Sequence, residues 1–401
     1  MQRSLREERG TGQGNLLRAL LSYGFRPFFL GAALWAILAL TIWLGALAGR
    51  WELAPGYGAL PWHAHEMLFG YSSAVLAGFL LTAVPNWTGR LPVVGWRLLL
   101  LFLLWCAARI AFLLTGTTGP LPAVVIDSLF LPCLLFVLGR EIVVGRNWRN
   151  LRPLALVALL AAANIGFHAE VLNTGTAVAA SRVGTAALIG LIMLIGGRIV
   201  PSFTHTWLLR MDPEHLPVSF NRFDIAALLV SGVALVLWIA RPEHTATSVL
   251  FLTAAVLQFV RLWRWAGLYA WRAPLVLALH VGYAFVPLGF LLGAISIFEP
   301  QAFAGTAALH AWTVGAIGLM TLAVMTRATR GHTGRALTAS GLTIAIYTAI
   351  IAASLLRIAA GAFPQDYGNL LELAGIAWIA AFGLFLIEYG PMLLGPRLKR
   401  G

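Results

Sequence analysis

The chain of 401 residues is 60% hydrophobic and only 11% charged, whereas a soluble domain is roughly half apolar and a quarter charged. This composition excludes an ordinary soluble globular protein and indicates a polytopic membrane protein. The formal net charge of +13 requires no nucleic-acid partner, because the basic residues are almost all arginines beside apolar runs, where membrane topology accounts for them.

Taken in chain order, the apolar runs predict an all-α, polytopic membrane helix bundle. A helix that crosses a bilayer needs about 20 apolar residues, and twelve runs meet this rule. The connecting segments are short and carry Gly, Pro or Arg, so we predict a single transmembrane domain over 27–394, with tails at 1–26 and 395–401. The predicted spans are 27–48, 62–84, 97–115, 122–139, 152–173, 179–200, 224–240, 247–266, 273–297, 304–326, 337–360 and 369–394.

The basic residues predict that both ends of the chain are cytoplasmic. Cytoplasmic loops of membrane proteins are enriched in Arg and Lys, and this orientation puts nearly all of the 28 Arg and Lys residues on the inner side. An even number of spans is what this asymmetry requires. The arginines left on the outer half are Arg50, Arg109, Arg182, Arg241 and Arg357.

A faint internal repetition links the second, sixth and tenth spans. Their inner ends carry Val84-Pro85-Asn86-Trp87-Thr88-Gly89, Val200-Pro201-Ser202-Phe203-Thr204-His205, and Met325-Thr326-Arg327 leading to Gly331-His332-Thr333-Gly334. A spacing of four spans predicts three parallel four-helix units. The match between the segments is weak, so a chain without a repeat is the open alternative.

Three histidines are predicted to lie at one depth near the outer face. At about 1.5 Å per helical residue, His65 lies roughly 5 Å, His310 roughly 9 Å and His168 roughly 8 Å from the outer ends of their spans. Haem iron and copper are held by imidazole nitrogens in this way, with one ligand from each helix. The alternative is that each histidine separately bonds a carbonyl or lies at the interface.

Of the other histidines, His63 is predicted near the outer level and His280 and His332 deeper, whereas His205, His215 and His244 are predicted to be solvated or structural residues of polar loops. His63 and His65 point about 200° apart around a helix, so they serve different metals unless the helix begins only after His63. His280 and His332 suggest a second site in the inner half. Tyr283, one turn after His280, is a candidate proton donor or simply a buried, hydrogen-bonded hydroxyl.

Charged residues beside the outer histidines suit a bound cofactor. Arg109, Arg182 and Arg357 are predicted to pair with haem propionates, with snorkelling to lipid headgroups as the alternative. Glu66 and Glu170 are candidates to orient an imidazole or to relay protons. Asp127 is a further membrane carboxylate for which the sequence indicates no partner.

No CxxCH pattern occurs, so any haem would be non-covalent. The two cysteines, Cys106 and Cys133, are predicted to be packed core thiols.

Several motifs together resemble the NnrS family. They are Gly24-Phe25-Arg26-Pro27-Phe28-Phe29, Trp62-His63-Ala64-His65-Glu66-Met67-Leu68-Phe69-Gly70, Leu81-Thr82-Ala83-Val84-Pro85-Asn86-Trp87-Thr88-Gly89, Gly197-Arg198 with Pro201-Ser202-Phe203-Thr204, and Gly331-His332-Thr333-Gly334-Arg335. The resemblance covers essentially the whole chain. It implies a twelve-span protein of the bacterial inner membrane that contains haem, of b type, and copper. It also implies a link to denitrification and to resistance against nitric oxide.

The resemblance also names residues. Positions that match family motifs are His63, His65, Glu66, Pro85, Asn86, Arg198, Pro201 and His332, and His168, His280 and His310 also look like family positions. Which histidine binds which metal does not follow from it. In outline the chain is also similar to the haem–copper oxidases, by fold analogy only.

Three functional hypotheses follow from these features. In the first, the protein binds nitric oxide, and in the stronger form of this hypothesis it reduces nitric oxide as a nitric oxide reductase-type oxidoreductase. Glu66, Glu170 and Tyr283 would then carry protons, and the electron donor is unknown. In the second, it transports a metal or metal-nitrosyl species, for which helices broken by Gly or Pro, as at Pro132 and Pro287, would be the hallmark. A haem-based sensor or assembly factor is a third hypothesis, which the short loops do not favour. The expected partners are nitric oxide or a similar small ligand and membrane lipid.

Overall fold

The computed structural model describes residues 16–300 and 305–398. Within these ranges all regular structure is helical, and twelve helices are long and apolar enough to cross a membrane, which confirms the predicted fold class. They are α1 (Phe25–Leu47), α2 (Ala59–Thr88), α3 (Trp96–Leu113), α4 (Pro120–Val144), α5 (Trp148–Thr174), α6 (Val178–Met211), α7 (Arg222–Ala240), α8 (Thr245–Trp263), α9 (Pro274–Phe298), α10 (Gly305–His332), α11 (Gly341–Ala362) and α12 (Pro364–Leu394). Basic residues of the predicted tails that lie outside the described residues are Arg3, Arg6, Arg9, Lys399 and Arg400.

Local chemistry sets where several helices begin and end. Asn221 caps α7, because its side chain accepts the Phe223 N–H at 3.0 Å while Asp224 accepts the Asn221 N–H at 3.0 Å. This reciprocal capping satisfies two backbone donors that the first turn leaves open. Gly89, with φ of +71°, ends α2 in the left-handed conformation that favours glycine.

Some helices are longer than the predicted spans, because the helix continues past the end of the apolar run. α6 continues through Pro201 to Met211, although a proline inside a helix removes one backbone hydrogen bond. It ends at Asp212, whose position before a proline disfavours helical backbone. α2 begins at Ala59, so His63 lies within the helix, and the possibility that the helix begins after His63 is excluded.

Within the described ranges, three spanning helices contain a π-helical segment. These segments are Glu66–Tyr71 in α2, Ile192–Gly196 in α6 and Ala311–Leu319 in α10. A π turn widens the helix and often occurs at functional sites. The segments occupy the same three helices that the sequence repetition links, although the threefold repeat itself stays a prediction.

The described residues pack into two compact units. Unit one comprises those within Met1–Ala161, Met325–Leu337 and Phe382–Gly401, and unit two comprises those within Ala162–Val324 and Thr338–Ala381.

The prediction that both cysteines are packed core thiols is wrong for Cys133, which is exposed on α4, while Cys106 is half-buried. α4 carries Cys133 on its lipid-accessible side, where an apolar thiol needs no protein cover.

Candidate functional site

His65 is the centre of a buried polar cluster in unit one. It is the last α-helical residue before the π segment of α2, and its side chain is fully buried. Its Nδ1 lies 3.1 Å from Oε1 of Glu66, and its Nε2 lies 3.1 Å from Oδ2 of Asp127 on α4. Both ring nitrogens therefore face carboxylate oxygens inside the protein.

Arg109 joins the two carboxylates from α3. Its Nη1 donates to Oε2 of Glu66 at 2.9 Å, and its Nη2 donates to Oδ1 of Asp127. Trp35 on α1 donates its indole N–H to the same Oε2 at 2.7 Å. All three charged residues are at most 3% exposed. Two carboxylates and one guanidinium leave one negative charge, which either a proton on His65 or a bound cation neutralises.

Gly70 makes room for this cluster. A Cβ atom there would lie 2.2 Å from Nη1 of Arg109 and 2.5 Å from Oε2 of Glu66. Trp105, one turn before Arg109 on α3, donates its indole N–H to the Gly70 carbonyl at 2.9 Å. The helix backbone therefore approaches α3 closely where the arginine enters, which a larger residue would prevent.

Aromatic residues enclose the His65 ring. The rings of Phe112 and Phe69 lie 4.9 and 5.5 Å away, and Tyr57 lies 6.4 Å away in the segment before α2. Burial, reinforced by the negative charge of Glu66 and opposed by Arg109, raises the pKa of Tyr57 far above its usual range. Tyr57 therefore keeps its proton at any physiological pH.

The arrangement fits a small metal ion better than a haem. Imidazole nitrogen and carboxylate oxygen bind such ions at about 2.0–2.2 Å, so Nε2 and Oδ2, 3.1 Å apart, can share one ion. Glu66 would then hold Nδ1–H, the usual way in which a ligating histidine is oriented. A haem ligated by Nε2 would need the space that the Asp127 carboxylate occupies.

His63 faces away from this cluster, as helix geometry requires. Its ring stacks on Trp43 of α1, with centroids 4.5 Å apart and an interplanar angle of 12°. His332, also in unit one, packs against Tyr23 and Phe25, with ring centroids 6.0 and 5.5 Å away. The structure thus places the three predicted ligands of unit one in three different environments.

In unit two, one ring nitrogen of His310, Nε2, has no hydrogen-bond partner among the described residues. Its Nδ1 bonds the carbonyl of Thr306, one turn earlier, at 2.6 Å, which leaves Nε2 with the lone pair. The helix that carries Arg357, α11, packs against the first turns of α10, which end at His310. Nη1 of Arg357 is buried without a hydrogen-bond partner among the described residues.

His280 and Tyr283 belong to polar contacts of unit two. Nε2 of His280 lies 2.8 Å from the hydroxyl of Thr204. The Tyr283 hydroxyl accepts from Nη1 of Arg261 at 2.8 Å and donates to Oε1 of Gln258 at 2.7 Å.

Arg261 is the centre of this second cluster. Its Nε donates to Asp224 at 3.0 Å, and its Nη1 also donates to the Met193 carbonyl at 3.0 Å. Sequence reasoning missed this cluster. The available signal was Gln258 and Arg261, one turn apart inside an otherwise apolar span.

The remaining predicted residues of unit two have simpler settings. Glu170 accepts the backbone N–H groups of Ala179 and Ala180 at 3.2 and 2.9 Å, so it caps the first turn of α6. His168 is buried on α5, and Arg182 is half-buried on α6. Their predicted roles as ligand and propionate partner stay predictions.

Comparison with known proteins agrees with the motifs. The family model described as NnrS protein matches residues 19–397, nearly the whole chain. Among curated proteins no match was found. A match of this extent, on a chain of twelve candidate spans, establishes that the protein belongs to the NnrS family.

Proposed function

We propose that this NnrS-family protein is a membrane metalloprotein of the nitric oxide response that binds copper at His65 and haem at His310. The observation that supports this proposal most is a pair of buried atoms that can ligate a metal, Nε2 of His65 and Oδ2 of Asp127, which lie 3.1 Å apart. Glu66 and Arg109 surround this pair. Buried ionisable groups in a membrane protein are costly and generally serve function.

At His65 the chain's own groups define what a bound ion would meet. With an ion bound, Glu66 would accept Nδ1–H and keep Nε2 as the lone-pair nitrogen, while Asp127 would supply an oxygen. Arg109 balances one carboxylate charge, so a monovalent ion makes the buried cluster neutral and a divalent ion leaves one positive charge. Copper, which binds imidazole and changes by one charge, suits a cluster with this balance and would supply one-electron chemistry.

At His310 the fit to haem rests on two observations. The bond from Nδ1 to the Thr306 carbonyl fixes the ring and its tautomer, as in metal-bound histidines. Arg357 has a buried donor with no partner among the described residues, and arginine pairs bidentately with carboxylates such as propionates. A haem there would supply an iron that binds a diatomic gas.

Nitric oxide is small and apolar enough to reach a buried site through the bilayer. Its reduction would need two electrons and two protons for each pair of molecules. Of the predicted proton carriers, Glu66 belongs to the His65 cluster, whereas Glu170 holds a helix end and Tyr283 is bonded within the Arg261 cluster. Glu66 is therefore the proton-carrying group that we propose for such a step.

The metal sites are tested by preparing the protein in detergent and measuring copper, haem and the absorption spectrum with and without nitric oxide. We expect His65→Ala to lose copper and keep the haem band, and His310→Ala to lose the haem band and keep copper. His205→Ala, an exposed histidine of α6, is the control and should retain both. A wild-type protein with neither metal, or variants that both keep the wild-type content, would overturn the proposal.

Transport of a metal or metal-nitrosyl species is the second candidate. Pro132 and Pro287 lie inside continuous helices, but the π segments of α2, α6 and α10 are irregular turns within spans in both units. Transporters use irregular helix turns at substrate sites. Copper uptake into liposomes that contain the protein, abolished by His65→Ala, would favour transport, whereas copper that stays bound without uptake favours a resident site.

A further inference from the structure

A groove with one apolar wall and a basic rim lies at one end of unit one. It has a volume of about 930 Å³ and is formed by the segment after α2, the first turns of α3 and the last turns of α4. None of its residues belongs to the His65 cluster. The lining residues on which the inference rests are Arg90, Arg97, Leu100, Phe136, Arg140 and Glu141.

The wall of the groove is apolar and open. Leu91 is 88% exposed, Phe136 is 73% exposed and Leu100 is 57% exposed, whereas Leu101 closes the floor at 7%. Apolar side chains this exposed, contiguous on a helical membrane protein, are solvated by lipid chains rather than by water. The exposed Trp96 at the start of α3 is placed as interfacial aromatic anchors are.

The rim of the groove has an unbalanced positive charge. Arg90 donates to the Glu141 carboxylate, and Nη1 of Arg140 lies 3.5 Å from the same carboxylate. Arg97 lies over the ring of its neighbour Trp96, and it forms no ion pair among the described residues. Three arginines against one glutamate leave two positive charges beside an apolar wall.

We propose that this groove binds an anionic phospholipid, with the headgroup phosphate at Arg97 and Arg140 and an acyl chain along Leu100 and Phe136. Basic pockets beside spanning helices recognise such headgroups. A soluble anion would use the arginines but gain nothing from the apolar wall, whereas a neutral lipid would use the wall and leave both charges unmatched. The proposal is independent of the metal sites.

Native mass spectrometry of the detergent-purified protein, titrated with phosphatidylglycerol or phosphatidylcholine, tests the site. Each arginine near an anionic headgroup contributes a factor of about five to binding, so Arg97→Gln with Arg140→Gln should weaken phosphatidylglycerol binding about 25-fold. Arg149→Gln with Arg152→Gln removes the same charge from exposed positions outside the groove and should change it little. Equal losses in the two double variants, or none in the first, would overturn the proposal.

A second variant separates a lipid from a free anion. Leu100→Trp narrows the groove at an exposed position, so it should weaken phosphatidylglycerol binding without changing the charge. Lysines at positions 97 and 140, made as Arg97→Lys with Arg140→Lys, should retain most of the binding. Inorganic phosphate that displaces the lipid at equal concentration, or phosphatidylcholine that binds as tightly, would contradict the assignment to an anionic lipid.

Discussion

At the residue scale, the cost of burying charge determines what the His65 cluster can tolerate. Glu66, Asp127 and Arg109 are nearly or fully buried, and each carboxylate has at least two partners. Removing one partner of a buried ion pair costs about 3–5 kcal/mol because the other charge is left uncompensated. Arg109 pairs with both carboxylates, so it is the residue whose loss would disturb the cluster most.

Gly70 provides a test of how tightly this cluster is packed. Gly70→Ala puts a Cβ atom 2.2 Å from Nη1 of Arg109, so the guanidinium must move, and we expect a loss of about 1–3 kcal/mol in unfolding free energy. Gly139→Ala on α4 is the control, because its Cβ atom would lie 3.6 Å from the nearest side chain and alanine favours helix. Thermal unfolding in detergent measures both. Equal melting temperatures for the two variants would mean that the cluster can accommodate a methyl group at position 70 and is not tightly packed there.

At the element scale, helix existence and helix irregularity have different origins. A helix forms across a bilayer because its apolar run is long enough and its backbone must satisfy its own hydrogen bonds. Both conditions are local, so all twelve helices were predictable. The π segment Glu66–Tyr71 contains Gly70, where a Cβ atom would meet the Arg109 side chain, and nothing in its residues alone distinguishes it from an α-helix.

The capping box of α7 is an element whose contribution can be measured. Asn221→Ala removes the side-chain acceptor of the Phe223 N–H, and we expect a loss of about 1 kcal/mol in stability. Asn221→Asp keeps an oxygen at that position and should remain close to the wild type. Thermal unfolding measures the difference, and an Asn221→Ala protein as stable as the wild type would show that Asp224 holds the first turn by itself.

At the scale of the whole molecule, the two ends of the described chain meet within unit one. Nη1 of Arg26 donates to the carbonyls of Leu393 and Gly395, both at 2.7 Å, where α12 ends. The Leu398 N–H donates to the Thr333 carbonyl at 3.0 Å. These bonds join the start of α1 to the end of α12, and a cation at a helix C-terminus also favours its dipole.

The predicted orientation can be tested with reporter fusions. Because arginines concentrate on one side, we expect a fluorescent protein fused after Gly401 to fluoresce and alkaline phosphatase fused there to be inactive. Alkaline phosphatase inserted between Gly49 and Gly58, in the segment joining α1 to α2, should be active, because its disulfides form only outside the cytoplasm. An active phosphatase at the C-terminus would contradict cytoplasmic termini.

The sequence by itself determined the twelve helices, the all-α class and the family, because apolar runs and short motifs are properties of neighbouring residues. It also identified His65 and Glu66 as candidate site residues, since an ionisable residue within an apolar run is recognisable from the sequence without knowledge of the tertiary structure. Only the tertiary structure decided which buried charges pair with each other. The sequence indicates no partner for Asp127, predicts a cofactor as the partner of Arg109, and indicates no buried role for Arg261. Those pairings depend on which helices pack together and on the rotation of each helix about its axis. Because the dielectric constant between packed helices is low, each buried charge requires an opposite charge nearby in space, and that charge can lie far away in the chain.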